Sequence, residues 1–208
     1  MVEQANALIE LSWALHCDHQ LNEAEGAVSQ AIDLLSGKGE QFLLCGCHRL
    51  LGQIYRSKDD TEKSIRHFET ALGIASSFNG LNLLFWVNFD LALLFFNQAK
   101  FDDANAHIRH AKSYAVSNHR SYTLARATEL QARVWCWQDR AEEAKSEALR
   151  AVDAFERLGV VKDAERVRRL LQQLDSEIQV DGTSDKSEDS GELLATCLLP
   201  TCLLIHRA

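Results

Sequence analysis

The chain repeats itself every forty residues, and that period narrows its folding options more than any other feature. Small residues recur in register: Ser12, Gly52, Ala92 and Ala132 in one column, Ala24, Ser64, Ala104 and Ala144 in a second, Ala31, Ala71, Ala111 and Ala151 in a third. A fourth column is large, with Leu15, Tyr55, Phe95 and Trp135. The columns run through four copies with no insertion. Such self-similarity marks an array in which each unit buries its apolar face against the next. Small residues let helices approach closely, and the large residue fills the space left between them.

Each copy reads as a helical hairpin. The clearest is residues 51–75, LGQIYRSKDDTEKSIRHFETALGIA, two amphipathic stretches about the polar turn Ser57-Lys58-Asp59-Asp60. The pattern predicts helices at 3–17 and 21–36, 41–57 and 60–77, 81–98 and 101–117, 121–138 and 141–158. The connectors SGKGEQ, SSFNG and VSNHRS carry glycine, asparagine and serine where helices should stop. The one proline, Pro200, lies beyond all of these, so no helix is interrupted by a missing N–H. Asn79-Gly80 sits between helical patterns rather than between alternating strands. The fold class expected is all-α.

A ninth helix is expected at 161–178, with Val167, Leu170, Leu171 and Leu174 on one stripe and Glu165, Arg168, Arg169 and Gln173 opposite. One apolar and one charged face suit a cap that shields the last hairpin from water. No equivalent cap precedes the first helix. Its free face is expected to continue a longer array, to meet a partner, or to self-associate. The organisation is thus an array over 1–178, with repeats at 1–40, 41–80, 81–120 and 121–160 and the cap at 161–178. Residues 179–208 form the tail. VDGTSDKSEDSGE has the composition of disorder. LLATCLLPTCLLI is too short to span a bilayer, which takes about 17–25 apolar residues, so membrane association is not expected.

A net charge of −8 excludes general affinity for DNA or RNA, which needs a cationic footprint. Six cysteines in a chain without a secretory leader read as reduced thiols and place it in the cytoplasm.

The small–aromatic spacing Gly52, Tyr55, Ser64, Phe68, Ala71 resembles one tetratricopeptide (TPR) repeat. The forty-residue length is similar to the long repeats of kinesin light chains and of the spindle-orientation adaptors. The runs ELSWAL, NEAEGAVSQAIDLL, IRHFETALGIASSFN, FDDANAHIRHAKSYAV and EEAKSEALRAVDAF look like the C-terminal TPR arrays of basidiomycete fungal STAND NTPases, the NLR-like proteins. The resemblance implies a TPR-type α-solenoid acting as sensor or scaffold beside an NTPase module. No such module is encoded between 1 and 208: Gly37-Lys38-Gly39 lacks the spacing and the following Ser or Thr of a phosphate loop.

In TPR arrays the first helix of each hairpin lines the concave surface. Carried over residue by residue, the resemblance implies inward positions at Ile9, Trp13 and His16; Arg49, Gln53 and Arg56; Trp86, Phe89, Leu93, Phe96 and Asn97; and Arg126, Glu129, Arg133 and Trp137. Adjacent inner positions add Glu10 and Asp90. The expected groove has arginine flanks around an aromatic centre and suits a protein or peptide with carboxylates beside apolar anchors. The partner-binding set is Trp13, Arg49, Gln53, Arg56, Trp86, Phe89, Phe96, Asn97, Arg126, Arg133 and Trp137. The bland alternative is that the aromatics are core and the arginines solvated. A chaperone carboxylate clamp is not expected, since Ile9, Trp13 and Gln53 stand where its Lys and Asn residues belong.

Chemistry is weakly encoded. His16-Cys17-Asp18-His19 and Cys45-x-Cys47-His48 lack the paired spacing of a zinc site, and His107 with His110 has no completing ligands. No local hydrolase signature is present. The acidic pairs Asp59-Asp60, Asp102-Asp103 and Glu142-Glu143 complement helix starts. The reading is a non-catalytic interaction scaffold without a cofactor or metal. A peripheral membrane protein, a metal-binding protein and a hydrolytic enzyme are its competitors.

Overall fold

The computed structural model describes residues 1–181, and these form nine helices and no strand. They are α1 (Val2–Cys17), α2 (Leu21–Leu35), α3 (Gln41–Ser57), α4 (Thr61–Ser77), α5 (Leu81–Asn97), α6 (Phe101–Ser117), α7 (Ser121–Trp137), α8 (Ala141–Arg157) and α9 (Val161–Asp181). The first eight start and stop within one residue of the pattern-based bounds. α9 runs to Asp181. The rest of the tail, including the apolar run 193–205, lies outside the described residues.

Seven of the first eight helices, all but α2, end in the same device, and a left-handed residue recurs every twenty residues. His19, Gly39, Asp59, Asn79, Ala99, His119, Asp139 and Gly159 all have φ between 51° and 76°. At seven of the eight turns the next N–H reaches back to a carbonyl five residues earlier, as in Gln20 to Leu15, Asp60 to Tyr55, Lys100 to Phe95 and Val160 to Phe155, at 2.9–3.0 Å. A left-handed residue followed by this bond is the Schellman stop, which satisfies carbonyls that the helix leaves unpaired. Asp59 therefore closes α3, while Asp60 caps α4 by accepting from the Lys63 N–H at 3.1 Å.

The described residues divide into two compact units, 1–123 and 124–181. In unit 1 the hairpins are α1–α2, α3–α4 and α5–α6. The first helices also touch one another, α1 on α3 and α3 on α5, and each second helix leans on the next first helix, α2 on α3 and α4 on α5. No two second helices of unit 1 meet. The first helices thus form one layer, which carries the inner positions. In the described part of unit 2, α8 packs on α9.

Side-chain volumes compensate most clearly in the second hairpin. A Cβ on Gly52 would lie 2.5 Å from the Phe68 ring, so the only glycine of its column faces the only phenylalanine of the partner column. The other hairpins pair Ser12 with Val28, Ala92 with Ile108 and Ala132 with Ala148 in those columns, and every one of these residues is fully buried. Interiors packed at this density tolerate neither a void nor an added methyl. The two serines of the small columns close their hairpins in mirror fashion. Ser12 on α1 donates to the Ala24 carbonyl on α2, and Ser64 on α4 donates to the Gly52 carbonyl on α3, both at 2.7 Å.

Candidate functional site: the polar seam of the first helices

Arg49, Gln53 and Arg56 are spaced i, i+4, i+7, so α3 presents them as one stripe toward α5. Asp90 of α5 receives them. Its Oδ2 accepts from Arg49 Nε at 2.6 Å and from Gln53 Nε2 at 2.9 Å, while Arg56 Nη1 stands 3.9 Å from Oδ1. Asp90 is only 3% exposed. A carboxylate that deep is sustained by paired charge and hydrogen bonds, and removing them would leave it stranded. Arg49 also lies over the Trp86 ring, 5.3 Å from its centroid, and its Nη2 is buried with no hydrogen-bond partner among the described residues.

The expected aromatic centre assembles around this knot. Trp86 packs edge-on to Phe89 at 5.9 Å and to Phe85 at 4.9 Å. Trp86 is 8% exposed and Phe89 4%. These rings are packing members, with the Trp86 face already taken by Arg49. Phe96 is buried and sits 6.2 Å from Phe101, and Asn97 is exposed at the end of α5. Trp13 is half-buried on α1, 6.0 Å from His16. His16, named above among the inward positions, is buried and shares a 3.0 Å hydrogen bond with Ser57 Oγ. The reason is its column: forty residues on stands Arg56, and both face the seam between first helices. Burial, with Arg56 nearby, holds the His16 pKa below its ordinary value.

In unit 2, Arg126 and Arg133 lie on α7 with Glu129 between them, but the residue that dominates the knot comes from α9. Arg166 donates Nε and Nη2 to the two Glu129 oxygens at 2.6 and 2.7 Å and pairs with Asp163 at 2.5 Å. Arg126 Nε stands 3.7 Å from Glu129. Burial alone would lower the Arg166 pKa, and its hydrogen bonds to Glu129 outweigh that and hold it above the ordinary value. Arg133 is held below it by burial. Trp137 is half-buried at the end of α7. Arg166 and Asp163 are absent from the inner positions inferred from the sequence. A signal for Arg166 existed, since it stands forty residues after Arg126 and α9 continues the period as a first helix.

A second polar column backs the hairpins. Tyr55 stacks on His67 at 5.3 Å, and Phe95 stacks on His107 at 5.4 Å one period later. His48 and His67 share a 3.2 Å hydrogen bond through their Nδ1 atoms, and His107 Nδ1 is 3.0 Å from Asn88 Oδ1, again one period later. Tyr55 donates to Glu25 at 2.5 Å, and Lys58 pairs with the same carboxylate. Those bonds hold Glu25 below its usual pKa and push Tyr55 up to about 12. Cys45 and Cys47 are fully buried, and burial raises their thiols to about 11 and about 12, the opposite of what a reactive or metal-binding cysteine needs. Among the described residues no group of three or more His, Cys, Asp or Glu is arranged to hold a metal ion, and no helix is long and apolar enough to cross a membrane.

No family model matches this chain, and no curated protein matches it by sequence. Solved structures do. Aspartyl phosphate phosphatase F from Bacillus subtilis superposes with a TM-score of 0.76 at 17% identity, over 87% of this chain and 48% of its own. BtubC (BKLC) from P. vanneervenii gives 0.61 at 15% identity, over 100% and 94% of the two chains. A Podosopora anserina putative kinesin light chain with nearly identical TPR-like repeats gives 0.60 at 12% identity, over 86% and 98%. The fold is a TPR-like α-solenoid. At these identities the likeness establishes architecture alone, and the chain spans about half the length of the first of these proteins.

Proposed function

We propose that the chain is a non-catalytic interaction scaffold that holds an extended or helical peptide along the inner face of its first helices. The peptide carries carboxylates beside apolar anchors. The observation that carries this reading is Arg49, which keeps a buried Nη2 with no acceptor beyond its Nε bond to Asp90. A charged donor without an acceptor in a dry site favours an incoming carboxylate, and Arg can grip one with two parallel bonds. TPR-like architecture supports a protein partner over a small molecule. The resemblance of the sequence runs to the arrays of fungal STAND NTPases supports a cytoplasmic setting, as the sensor or scaffold of an NLR-like system.

Arg56 gives the cleaner test. It stands 3.9 Å from Asp90, which Arg49 and Gln53 hold without it. Binding of a peptide array with Asp or Glu beside Leu or Phe is compared with amide-substituted controls. Arg56→Gln is expected to weaken the acidic peptides about tenfold or more, the scale of a charged hydrogen bond, and to leave the melting temperature close to wild type. Equal binding by both chains, or by acidic and amide peptides, overturns the reading.

A further inference from the structure

We infer that capture of an acidic peptide on the unit 1 seam takes up a proton and that His16 receives it; this rests on the reading above and adds pH control to the same site. His16 is 4% exposed, and its Nε2 meets Ser57 Oγ of α3 at 3.0 Å. Its Nδ1 is buried with no hydrogen-bond partner among the described residues, as is Nη2 of Arg49 on the neighbouring first helix. A protonated imidazole has two N–H donors. Ser57 answers one of them. The other is a buried charged donor without an acceptor, which costs the full desolvation of that group. The ring is thus held neutral for want of an acceptor and of negative charge, and a carboxylate brings both.

The groups around His16 set the sign. Burial is the largest influence and lowers its pKa; Arg56 of α3 and His19, just past α1, push the same way, while Asp90 of α5 and the Gln53 backbone oppose them. On α2, the other helix packed against α1, Glu23 is exposed and Glu25 is taken by Tyr55 and Lys58. Asp90 is itself bound by Arg49 and Gln53. Arg56 is therefore the charge that a ligand alters: it precedes Ser57, the residue bonded to His16, and stands 3.9 Å from Asp90. A peptide carboxylate on Arg56 offsets its positive field and raises the His16 pKa. By linkage, affinity is flat above the ligand-bound pKa and strengthens as pH falls from there toward the free one.

The probe is a fluorescently labelled peptide with Glu beside Leu and Phe, compared with its Gln-substituted control. Both are titrated with the full chain between about pH 7.5 and about pH 6, where Glu of the peptide stays ionised. Affinity for the Glu peptide is expected to rise about fivefold across that span, within the limit of about tenfold per pH unit that one proton sets. The Gln control should stay flat. His16→Gln should bind the Glu peptide with the same affinity at both ends of the range, close to the wild-type value at about pH 7.5. Calorimetry of the wild-type chain in two buffers of different ionisation enthalpy should show net proton uptake at about pH 6.5, a readout that does not depend on the variant folding. Preference for the Glu peptide with no proton uptake overturns this inference and leaves the reading of the site standing. A pH dependence that survives in His16→Gln assigns the proton elsewhere and overturns it too. Equal binding of the Glu and Gln peptides overturns the reading of the site, and this inference with it.

Discussion

In unit 1 the buried carboxylate sits on the later first helix and the arginines on the earlier one, whereas in unit 2 the anion is on α7 and the dominant arginine on α9. Asp90 is a lone acid served by two guanidiniums and an amide. Glu129 and Asp163 meet two guanidiniums, Arg126 and Arg166, with Arg166 bridging both acids. The wiring of the two knots therefore differs. The difference lies in redundancy. Deep charge pairs add little net stability when complete, but removing one partner exposes the full desolvation cost of the other. Asp90 alone accepts from both Arg49 and Gln53, so unit 1 concentrates its risk on one carboxylate. Unit 2 spreads the same risk.

Single substitutions break this comparison most directly. Asp90→Ala leaves Arg49 and Gln53 buried without their shared acceptor and should cost about 3–5 kcal/mol, the range for an uncompensated buried charge. Arg166→Ala should cost less, about 2–3 kcal/mol, because Arg166 is 29% exposed and Glu129 keeps Arg126 nearby. Urea unfolding of both variants, with amide exchange to locate the loosened unit, checks the order. Equal losses would mean that redundancy in the second knot has no energetic content.

Acid sharpens the comparison, because residues 124–181 contain no histidine and unit 1 contains four whose pKa is lowered by burial, His16, His48, His67 and His107. Their unfolded-state value is near 6.5. As pH falls through that value the unfolded chain takes up protons before the folded one, so stability is complete above it and declines below. His48 and His67 add a geometric reason: one Nδ1 donates and the other accepts, and two protonated rings have no acceptor between them. Amide exchange between about pH 7 and about pH 5 should quicken in α3 and α4 well before α8 and α9, through the histidine range of titration. Uniform loss across both units would remove the histidines as the cause.

Much of this architecture was legible before any coordinates. The small columns placed eight helices to within a residue, because Gly52, Ala92 and Ala132 are small for the one reason that a second helix passes over them. The stripe Arg49, Gln53, Arg56 was implied by the family resemblance. What Arg49 holds was not. Its partner lies 41 residues away, as does Ser57 from His16, while Gln53–Asp90 and Glu129–Arg166 are 37 apart. These separations are one period plus one and one period minus three, the two ways a side chain on one helix meets its neighbour in the next repeat. They depend on the stagger between helices, which composition and periodicity within one helix leave undefined. The stop signals were half visible for a related reason. Gly39, Asn79 and Gly159 announce a left-handed residue, but His19, Ala99 and His119 do so only by falling on the same twenty-residue grid.

Ala99 is where that grid conflicts most with its residue, and it gives the smallest and cleanest contrast between the units. At φ 55° its Cβ crowds the following carbonyl, and alanine lacks the polar side chain that lets Asp or Asn occupy this region. Unit 2 closes its own turns with Asp139 and Gly159, which suit the conformation better. The left-handed cost for an L residue is about 1–2 kcal/mol, and glycine loses about 0.5–1 kcal/mol more backbone freedom than alanine on folding. Ala99→Gly should therefore raise unit 1 stability by about 0.5–1 kcal/mol, whereas Asp139→Gly should gain less than about 0.5 kcal/mol. Ala99 is exposed, so no packing is lost to confuse the result. Chemical denaturation of the two variants measures the difference. A gain at Asp139 equal to that at Ala99 would mean that position on the grid, and not the residue found there, sets the strain.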